Sequence, residues 1–287
     1  MADLGTVKAV VVAYRNTDDL RAALDGLERR VDVIVVDNGV EAEVAGLCEE
    51  RGVAYLTPGR NVGFAAAVNL GIRAALATGP CDVLLLNPDA RVSVAVVEAL
   101  ADALHAHERI AAVSPRLFGE TGEEQQVAWP VPSPRNAWVD ALGLRRLVRP
   151  SEVFLIGAVL LLNGAALRDV GDFDERFFLY AEESDWELRA LRRGWRVRLC
   201  DTLSATHVGA GSSSDEQRRE ALFHSSAELF SRKWYGPTGW QGVRAASLVG
   251  SLLRLALQGR DRRAEHAARA RLYLQGPARA AGRRAVG

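Results

Sequence analysis

The stretch Asp82-Val-Leu-Leu-Leu-Asn87-Pro88-Asp89 decides which fold this sequence predicts. Its continuous apolar run, bounded by a turn signal, is typical of a strand that is covered on both faces. Pro88 cannot continue a central strand, so the chain must turn where the Asp89 carboxylate appears. In open α/β sheets, ligands bind beyond the carboxyl ends of the strands, and Asp89 would lie there. An acid in that place suits a hard divalent cation that carries phosphate oxygens, but it would also serve to cap a helix beginning near Ser93.

Strands and helices alternate before this stretch. Val7–Ala13, residues 31–36 and residues 53–56 have the apolar composition of buried strands, and segments with helical spacing lie between them. This alternation predicts an α/β fold with a doubly wound, mostly parallel sheet flanked by helices. Such sheets bind nucleotides at strand ends, and polar clusters follow the first two strands, Tyr14-Arg15-Asn16 and Asp37-Asn38.

A glycine-bearing turn, Gly59-Arg60-Asn61-Val62-Gly63-Phe64-Ala65, opens the predicted helix that carries Asn69. Free backbone N–H groups and the helix dipole make a helix N-terminus an anion site. The turn is neither a Walker A loop nor a GxGxxG motif, however. Phosphate binding and a purely structural turn therefore both remain open at this position.

The second half of the chain continues the pattern with one interruption. Residues 93–107 are predicted as a helix, 110–113 and 153–162 as strands, Gly164–Val170 as a short helix, and 195–200 as an edge strand. Residues 119–152 break this pattern with four prolines and two tryptophans. A long irregular segment within a compact domain is usually functional or mobile, so we expect a loop over the active site, with a plain connecting loop as the alternative.

A cluster of acidic residues, Glu182, Glu183 and Asp185, opens another predicted helix, which ends at Gly194. Acids in the first turn of a helix are favoured by its dipole, and that purely structural explanation stands as one alternative. The functional alternative is that one carboxylate acts as a general base. Like charges crowded into a partly buried cleft would raise one pKa and help it in that role.

His207 is the next candidate, because it follows a predicted strand and precedes a glycine- and serine-rich stretch, 209–214. A lone histidine is usually structural. At this position it would also serve as a neutral imidazole ligand to the same metal as Asp89.

The composition limits the number of domains and the class of partner. A chain of 287 residues with 48% hydrophobic residues is long enough for one large or two small domains, and its zero net charge argues against nucleic acid as the main partner. Residues 241–287 carry ten arginines and two acids. We expect this basic helical tail to lie on anionic lipid, to pack against a partner subunit as a dimer contact, or to cover a sheet edge as a solvated helix.

Three scattered cysteines, without a CxxC motif, fit a reducing compartment and predict neither a disulfide framework nor a zinc site. No signal peptide is recognisable, and the apolar runs are too short to span a bilayer. We therefore expect a soluble, cytoplasmic protein, with peripheral contact to the inner face of the membrane as a further expectation.

Together these motifs resemble family 2 glycosyltransferases of the GT-A fold, most closely the rhamnosyltransferase-like branch that acts on cell-wall and O-antigen intermediates. The resemblance covers residues 7 to about 235. It predicts a GT-A domain over 1–237, with a nucleotide-sugar half to about 115 and an acceptor and base half from 116, and a basic helical extension over 238–287. The residues that carry it are residues 11–16, 35–38 and 61–65, Asn69, residues 86–89, and residues 178–185.

The resemblance also implies a role for each candidate residue. The metal ligands would be Asp89, in the Asp-x-Asp position of the family, and His207. The catalytic base would be Glu183, flanked by Glu182 and Asp185. The residues expected to bind the nucleotide sugar are Ala13, Tyr14, Arg15, Asp37, Asn38, Asn61, Gly63, Phe64, Asn69 and Asn87.

The sequence departs from the family pattern at two positions. Asn87 replaces the first aspartate of Asp-x-Asp, which leaves one charge fewer for the metal. Glu183 replaces the aspartate of the usual Glu-Asp pair, so the base lies one methylene further from the backbone. Both the identity of the metal and the choice of base among the three acids are therefore open.

The resemblance implies an inverting transferase that uses Mg²⁺ or Mn²⁺. Its donor would be dTDP-rhamnose, its acceptor a lipid-linked or polysaccharide sugar, and segment 119–152 would shape the acceptor pocket. A transferase with another donor, such as a UDP-sugar, is an alternative. A nucleotide-sugar pyrophosphorylase or a dehydrogenase would show a glycine-rich signature after the first strand, where this chain has Tyr14-Arg15-Asn16. A non-catalytic scaffold that binds a glycan or nucleotide is the remaining alternative.

Overall fold

The computed structural model describes residues 6–209, 216–257 and 263–284. The glycine- and serine-rich stretch that follows Gly209 lies outside the described residues. The chain divides into two compact units. Unit 1 comprises Met1–Trp129, Phe154–Phe178 and Glu182–Ser214, and unit 2 comprises Pro130–Val153, Leu179–Ala181 and Asp215–Gly287.

The described strands and helices are numbered here in chain order. The strands are β1 (Val7–Ala13), β2 (Asp32–Asp37), β3 (Ala54–Leu56), β4 (Asp82–Leu86), β5 (Ala90–Arg91), β6 (Ile110–Phe118), β7 (Glu124–Gln125), β8 (Ala128–Pro130), β9 (Val153–Leu155), β10 (Val159–Leu162) and β11 (Arg196–His207). The helices are α1 (Thr17–Gly26), α2 (Ala42–Arg51), α3 (Phe64–Ala77), α4 (Val94–His105), α5 (Pro134–Ala141), α6 (Gly164–Val170), α7 (Glu182–Arg192), α8 (Glu216–Leu257), α9 (Arg263–Gln275) and α10 (Pro277–Arg284).

The first four strands of unit 1 form the predicted parallel, doubly wound arrangement. They lie in the order β3-β2-β1-β4, and every pairing among them is parallel. β4 is buried throughout, as its apolar composition predicts. Gly71 brings α3 so close to β1 that an added Cβ would lie 2.3 Å from Val10 Cγ1. Because β1 lies between β2 and β4, the chain winds outward in both directions from β1, and this switch point is where such sheets bind ligands.

The second half of the sheet is mixed. β10 lies between β4 and β6 and is antiparallel to both, whereas β11 is parallel to β6 and antiparallel to β5. The apolar pattern predicts that β10 is buried on both faces but says nothing about its direction. The direction depends on where the preceding connection returns the chain to the sheet.

Two predicted strands have different bounds in the structure. Residues 153–162 form two strands, β9 and β10, because Ile156-Gly157-Ala158 leaves the ladder between them. The predicted edge strand over 195–200 is only the first part of β11, which pairs with β6 on one side and with β5 on the other. His207 is therefore the last residue of a strand rather than part of the loop after it.

The segment 119–152, which we expected to be irregular, contains β7, β8 and the helix α5. α5 begins with a favourable local signal: Pro134 occupies its first turn, and the Ser133 side chain accepts a hydrogen bond from the Asn136 N–H. Three closely spaced prolines indicated a loop and concealed this short helix. Pro134 lies at a position where a helix tolerates proline.

Unit 2 is helical. α8 bends at Gly236, which has a positive φ of 68°. The next residue, Pro237, cannot donate a backbone hydrogen bond, and this also interrupts the helix. α5, α9 and α10 pack against α8. The core of this bundle contains Trp240, Val243 and Tyr273. The basic tail therefore folds as part of a bundle and is not a single isolated amphipathic helix.

Polar contacts fasten the bundle as well. The Nδ1 atom of buried His224 lies 2.9 Å from the Tyr273 hydroxyl, and the Ala278 N–H donates to Glu228 Oε2 at 3.1 Å. Burial lowers the pKa of His224 to about 4. Among the described residues, no helix combines the length and the hydropathy that crossing a bilayer requires.

Candidate active site

The loop after β2 is organised around Asp37, which is fully buried. Its Oδ1 accepts the N–H groups of Gly39 and Val40, at 3.0 and 2.8 Å. Its Oδ2 accepts the Glu41 N–H at 2.7 Å and the Tyr55 hydroxyl at 3.0 Å. Both carboxylate oxygens are thus engaged by the protein, which gives Asp37 a role in ordering the loop. Direct contact with a nucleotide stays a prediction.

Tyr14 and Arg15 follow β1 beside this loop. The Arg15 N–H donates to Glu41 Oε1 at 2.6 Å, and the Arg15 guanidinium lies 5.2 Å from the centroid of the Tyr14 ring. Arg15 adopts a positive φ of 54°, a conformation that is uncommon for residues other than glycine. Ala13 is buried at the end of β1 and pairs in register with Asp37. These two strand ends therefore form one continuous rim.

Asn38 and Asn61 hold the glycine-bearing turn before α3. Asn38 Oδ1 accepts the Val62 N–H at 2.9 Å, and Asn38 Nδ2 donates to Asn61 Oδ1 at 3.1 Å. Asn61 Oδ1 also accepts the Gly63 N–H at 2.9 Å. Asn38 is buried while Asn61 is exposed, so of the two only Asn61 is accessible to a ligand.

Gly63 is needed for a close approach of two backbones. Its φ is 88°, and an added Cβ would lie 2.6 Å from the Phe178 carbonyl oxygen. The Phe64 N–H donates to that same oxygen at 2.7 Å. One N–H group at the start of α3 is therefore already engaged, so fewer N–H groups are available there to bind an anion.

Asn69 lies on the buried side of α3 and binds a loop rather than facing the strand ends. Its Oδ1 accepts the Phe173 N–H, and its Nδ2 donates to the Phe173 carbonyl, both at 2.9 Å. Nδ2 also donates to Glu175 Oε1 at 3.0 Å. These contacts assign Asn69 to the support of the loop before Phe178.

Asp89 and His207 meet at the far end of β4, as the shared-metal hypothesis requires. His207 Nε2 lies 3.5 Å from Asp89 Oδ1, and β5, which follows Asp89 directly, pairs with the end of β11. Burial acts to raise the pKa of Asp89, but the hydrogen bond and charge of His207, a backbone hydrogen bond and the charge of Arg91 together outweigh it, so this pKa lies below its ordinary value. Ser93 takes the N-cap position of α4, so Asp89 does not cap that helix.

Gln125 is a residue that the sequence did not single out. Its Oε1 lies 2.8 Å from His207 Nδ1, and its Nε2 donates to the His207 carbonyl at 2.6 Å. With Nε2 of Gln125 used as a donor, Oε1 must accept the Nδ1–H of the imidazole. His207 Nε2 is thereby held facing Asp89, which is how supporting residues orient metal-binding histidines. A solitary glutamine in a loop carries no recognisable sequence signal.

The donor set suits Mg²⁺ or Mn²⁺ only in part, because the described residues contain no group of three His, Cys, Asp or Glu side chains that could hold an ion. Asp89 and His207 supply one carboxylate and one imidazole. A divalent cation that also binds diphosphate oxygens and water needs no larger protein set. These two residues therefore fit a cation that arrives with a nucleotide diphosphate.

Asn87 shares the turn after β4. Its backbone N–H donates to the Ala158 carbonyl at 2.9 Å, and its carbonyl accepts the Ala90 N–H at 3.0 Å. Its side chain is half-buried in the position of the missing aspartate. The backbone of this turn is thereby held against the start of β10.

Glu183 lies in the first turn of α7, where Oε1 accepts the Gly157 N–H at 3.2 Å. An added Cβ on Gly157 would lie 2.5 Å from this oxygen, so only glycine leaves room for the carboxylate. Burial raises the pKa of Glu183, against two backbone hydrogen bonds that lower it. A half-buried carboxylate of raised pKa suits a general base.

The two other predicted acids differ from Glu183. Glu182 is 2% exposed, and Asp185 is fully buried and forms an ion pair with Arg189 at 3.1 Å. Arg189 also donates to the Val170 and Asp172 carbonyls. Asp185 therefore helps fasten α7 to the loop after α6, and Glu183 is the most accessible of the three.

Glu187 is a second residue that we did not predict, although its i+4 spacing from Glu183 was visible. It is fully buried, its Oε2 accepts the Leu155 N–H at 2.9 Å, and its Oε1 has no hydrogen-bond partner among the described residues. Burial, together with the charge of Glu183, raises the pKa of Glu187 well above its ordinary value. The geometry and the pKa agree with a protonated carboxylic acid.

The break between β9 and β10 joins the two polar clusters. Gly157 donates to Glu183, and the next residue, Ala158, accepts from Asn87 at the turn that carries Asp89. The turn that carries Asp89 and the candidate base are thus hydrogen-bonded to neighbouring residues, Ala158 and Gly157. They lie at the end of β4, beside β1 and the switch point of the sheet.

Comparison with known proteins identifies the family. The model of glycosyl transferase family 2 matches residues 9–171. The chain is a member of glycosyl transferase family 2. This family 2 chain is 30% identical to the N-acetylglucosaminyl-diphospho-decaprenol L-rhamnosyltransferase of Mycobacterium tuberculosis, over 85% of this chain and 93% of the relative. It is 32% identical to the galactofuranosyltransferase GlfT1 of Mycolicibacterium smegmatis, over 72% of each chain.

A solved structure is similar to the family 2 chain in fold. The mannosyltransferase PcManGT from Pyrobaculum calidifontis, solved in complex with GDP-Man and Mn²⁺, has a TM-score of 0.56 at 15% identity, covering 96% of this chain and 82% of that chain. The predicted GT-A fold, with helices flanking the sheet and a helical C-terminal region, is confirmed.

Proposed function

We propose that this protein is a metal-dependent, inverting glycosyltransferase. It transfers L-rhamnose from dTDP-rhamnose to a hydroxyl of a lipid-linked or polysaccharide acceptor in cell-envelope glycan synthesis. The observation that carries the proposal is that Glu183 and the turn carrying Asp89, which lies against His207, are hydrogen-bonded to neighbouring residues, Gly157 and Ala158. The rhamnosyltransferase relative supports the choice of sugar.

Asp89 and His207 would hold the cation that accompanies the donor diphosphate. Their 3.5 Å separation lets one ion touch both side chains. When bound, Mg²⁺ or Mn²⁺ supplies positive charge against the nucleoside diphosphate leaving group. The Mn²⁺ in the complex of PcManGT supports a divalent cation but does not favour one metal over the other for this chain.

Glu183 takes the proton of the acceptor hydroxyl. The acceptor oxygen then forms a bond to C1 of the sugar on the face opposite the diphosphate, and the bond from C1 to the diphosphate oxygen breaks with its electron pair. A single displacement of this kind inverts the anomeric configuration. A general base works best when its pKa is close to the working pH. The pKa of Glu183 is raised, which makes this carboxylate a stronger base and its uptake of the acceptor proton more favourable.

The residues expected to bind the nucleotide sugar divide into two groups. Tyr14, Arg15 and Asn61 lie at least partly exposed at strand and helix ends and would contact the nucleotide. The others support the loops that shape the site or line it through their backbone: Ala13, Asp37, Asn38, Gly63, Phe64, Asn69 and Asn87.

The location of the protein follows from its proposed substrates. Sugar nucleotides are cytoplasmic donors, and three buried free cysteines agree with a reducing compartment. A lipid-linked acceptor would lie at the inner face of the membrane. We therefore propose a cytoplasmic enzyme that contacts this surface.

A different donor is the main alternative. The relative named galactofuranosyltransferase has a comparable identity, 32% against 30% for the rhamnosyltransferase, although over 72% of this chain against 85%, so family membership alone does not choose the sugar. A UDP-sugar donor would keep the same metal pair and the same base.

The decisive experiment is hydrolysis of a panel of sugar nucleotides, with and without Mn²⁺ or Mg²⁺, by wild type and by Asp89→Ala. We expect slow, metal-dependent release of dTDP from dTDP-rhamnose that is lost in the variant. Release from a UDP-sugar instead would retain the mechanism and overturn the rhamnose assignment. The scaffold alternative would replace the proposal if no nucleotide were hydrolysed and thermal shift detected no metal-dependent nucleotide binding.

A further inference from the structure

Unit 2 exposes leucines beside arginines where α5 ends. Leu142 and Leu147 are 51% and 81% exposed, and Leu253 and Leu257 of α8 are 39% and 83% exposed. We call this set, together with the arginines around it, the α5–α8 face. The arginines are Arg145, Arg146, Arg149 and Arg254.

Close packing brings the C-terminal parts of α5 and α8 together in this face. Gly250 lies so near α5 that an added Cβ would be 3.0 Å from Ala141 Cα. Four residues later, Arg254 donates to the Asp140 carbonyl at 2.9 Å. Leu253 and Leu257 follow Gly250 by three and seven residues, so they lie on the same side of α8. They continue the stripe that covers α5, past the point where α5 ends.

The face is basic as well as apolar. Residues 141–151 contain three arginines and no acid. Two acids flank this segment: Asp140, which is paired with Arg145 at 2.7 Å and with Arg254 at 3.3 Å, and Glu152. Arg146 and Arg149 are exposed. The unneutralised charge around the leucines is therefore positive.

We propose that the α5–α8 face docks on an anionic lipid bilayer. Leucines bordered by arginines match the boundary between acyl chains and negatively charged head groups, where a peripheral protein buries its apolar side chains. A symmetric dimer through this face is disfavoured, because each copy would present its arginines to those of the other.

The sequence suggested membrane contact by the whole basic tail, whereas the α5–α8 face is a smaller surface. Only the end of α8 takes part, together with residues after α5, a segment that the sequence assigned to a loop. The proposed docking rests on the proposed function in one respect, that a lipid-linked acceptor would lie at the same surface. Vesicle binding itself requires neither donor nor turnover.

The experiment is sedimentation of the full-length protein with vesicles, without sugar nucleotide. One vesicle is phosphatidylcholine alone, and the other contains one quarter phosphatidylglycerol. We expect wild type to bind the anionic vesicle and to be released by salt. Leu253→Ser/Leu257→Ser and Arg145→Gln/Arg146→Gln/Arg149→Gln should each weaken this binding by at least about tenfold.

Matched controls separate the face from general surface effects. Leu274→Ser alters a leucine of unit 2 that is 63% exposed, is not among the residues of the α5–α8 face, and accepts a hydrogen bond from Arg244 at its carbonyl. Arg29→Gln/Arg30→Gln/Arg193→Gln removes the same charge from exposed sites of unit 1. Both controls should bind as wild type, and circular dichroism should show that all four variants are folded.

Other outcomes would overturn the proposal. These are equal binding by wild type and both face variants, no binding of wild type to anionic vesicles, or equal binding to the two vesicles. A concentration-dependent dimer that the face variants dissociate would assign the face to a second copy instead. Failure of vesicle binding would leave the hydrolysis result intact, so the two proposals are tested separately.

Discussion

Two sets of polar side chains follow the strands of unit 1, and they use their hydrogen-bonding capacity differently. In the loop-ordering set, Asp37 accepts four donors and Asn38 and Asn69 bond through both amide atoms. In the reactive set, His207 Nε2 faces Asp89, and Glu183 accepts the Gly157 N–H. Each set contains an aspartate at or just after the end of a buried strand, Asp37 or Asp89. The hydrogen-bond partners of the two sets distinguish the residues that support the site from those that carry out its chemistry.

The largest expected effect is on turnover, from the reactive set. Glu183→Gln keeps the shape of the side chain but cannot take a proton, so kcat should fall by roughly 10²–10⁴. Donor binding, measured by thermal shift, should be unchanged. The matched change Glu187→Gln alters a carboxyl on the same helix that holds its proton, and kcat should stay within about threefold of wild type. Equal losses in both variants would contradict the assignment of the base.

The next effect is on stability, from the loop-ordering set. Asp37→Ala leaves buried donors without an acceptor and should lower the free energy of unfolding by about 2–4 kcal/mol. Asp89→Asn should change it by less than about 1 kcal/mol while abolishing metal-dependent hydrolysis. Urea unfolding measures both variants. The comparison fails if the Asp89 variant is the less stable of the two.

Gln125 should affect the affinity for the metal. Gln125→Leu frees the His207 ring to rotate or change tautomer, so Mn²⁺ in the presence of nucleotide should bind about 10–100-fold more weakly. Electron paramagnetic resonance of free Mn²⁺ gives this affinity without any assay of turnover. Gln126→Leu is the control, because that side chain bonds to the Ala128 carbonyl and not to His207. Unchanged affinity in the Gln125 variant would remove its positioning role.

The smallest effect is the pH dependence of stability that Glu187 introduces. Its pKa is raised in the folded protein, so the folded state keeps a proton that the unfolded chain releases above its ordinary pKa. Stability contributed by this group is present at low pH and lost as the pH rises. Glu187→Gln cannot ionise, so the stability of the variant relative to wild type should increase as the pH rises above the ordinary pKa of a glutamate. Urea titrations at several pH values would show parallel curves if Glu187 ionised normally.

Local patterns predicted much of unit 1. β1, β2 and β4, the helix α3 and the acidic start of α7 lie where the apolar runs and turn residues indicate. Asp89 and His207 were chosen from separate motifs, and the structure brings them together. The helix α5 was missed, since prolines dominate that segment and propensity alone could not distinguish its first turn from a loop.

The sequence by itself determined which segments are buried, where polar residues follow them, and to which family the motifs belong. Those properties are local, because side-chain polarity and turn residues act within a few positions of the chain. Only the tertiary structure decided that β10 runs antiparallel, that Gln125 reaches His207, and that Asp37 is saturated while Glu183 is accessible. Strand register and direction bring residues together that are distant in the chain, and no local pattern encodes such contacts.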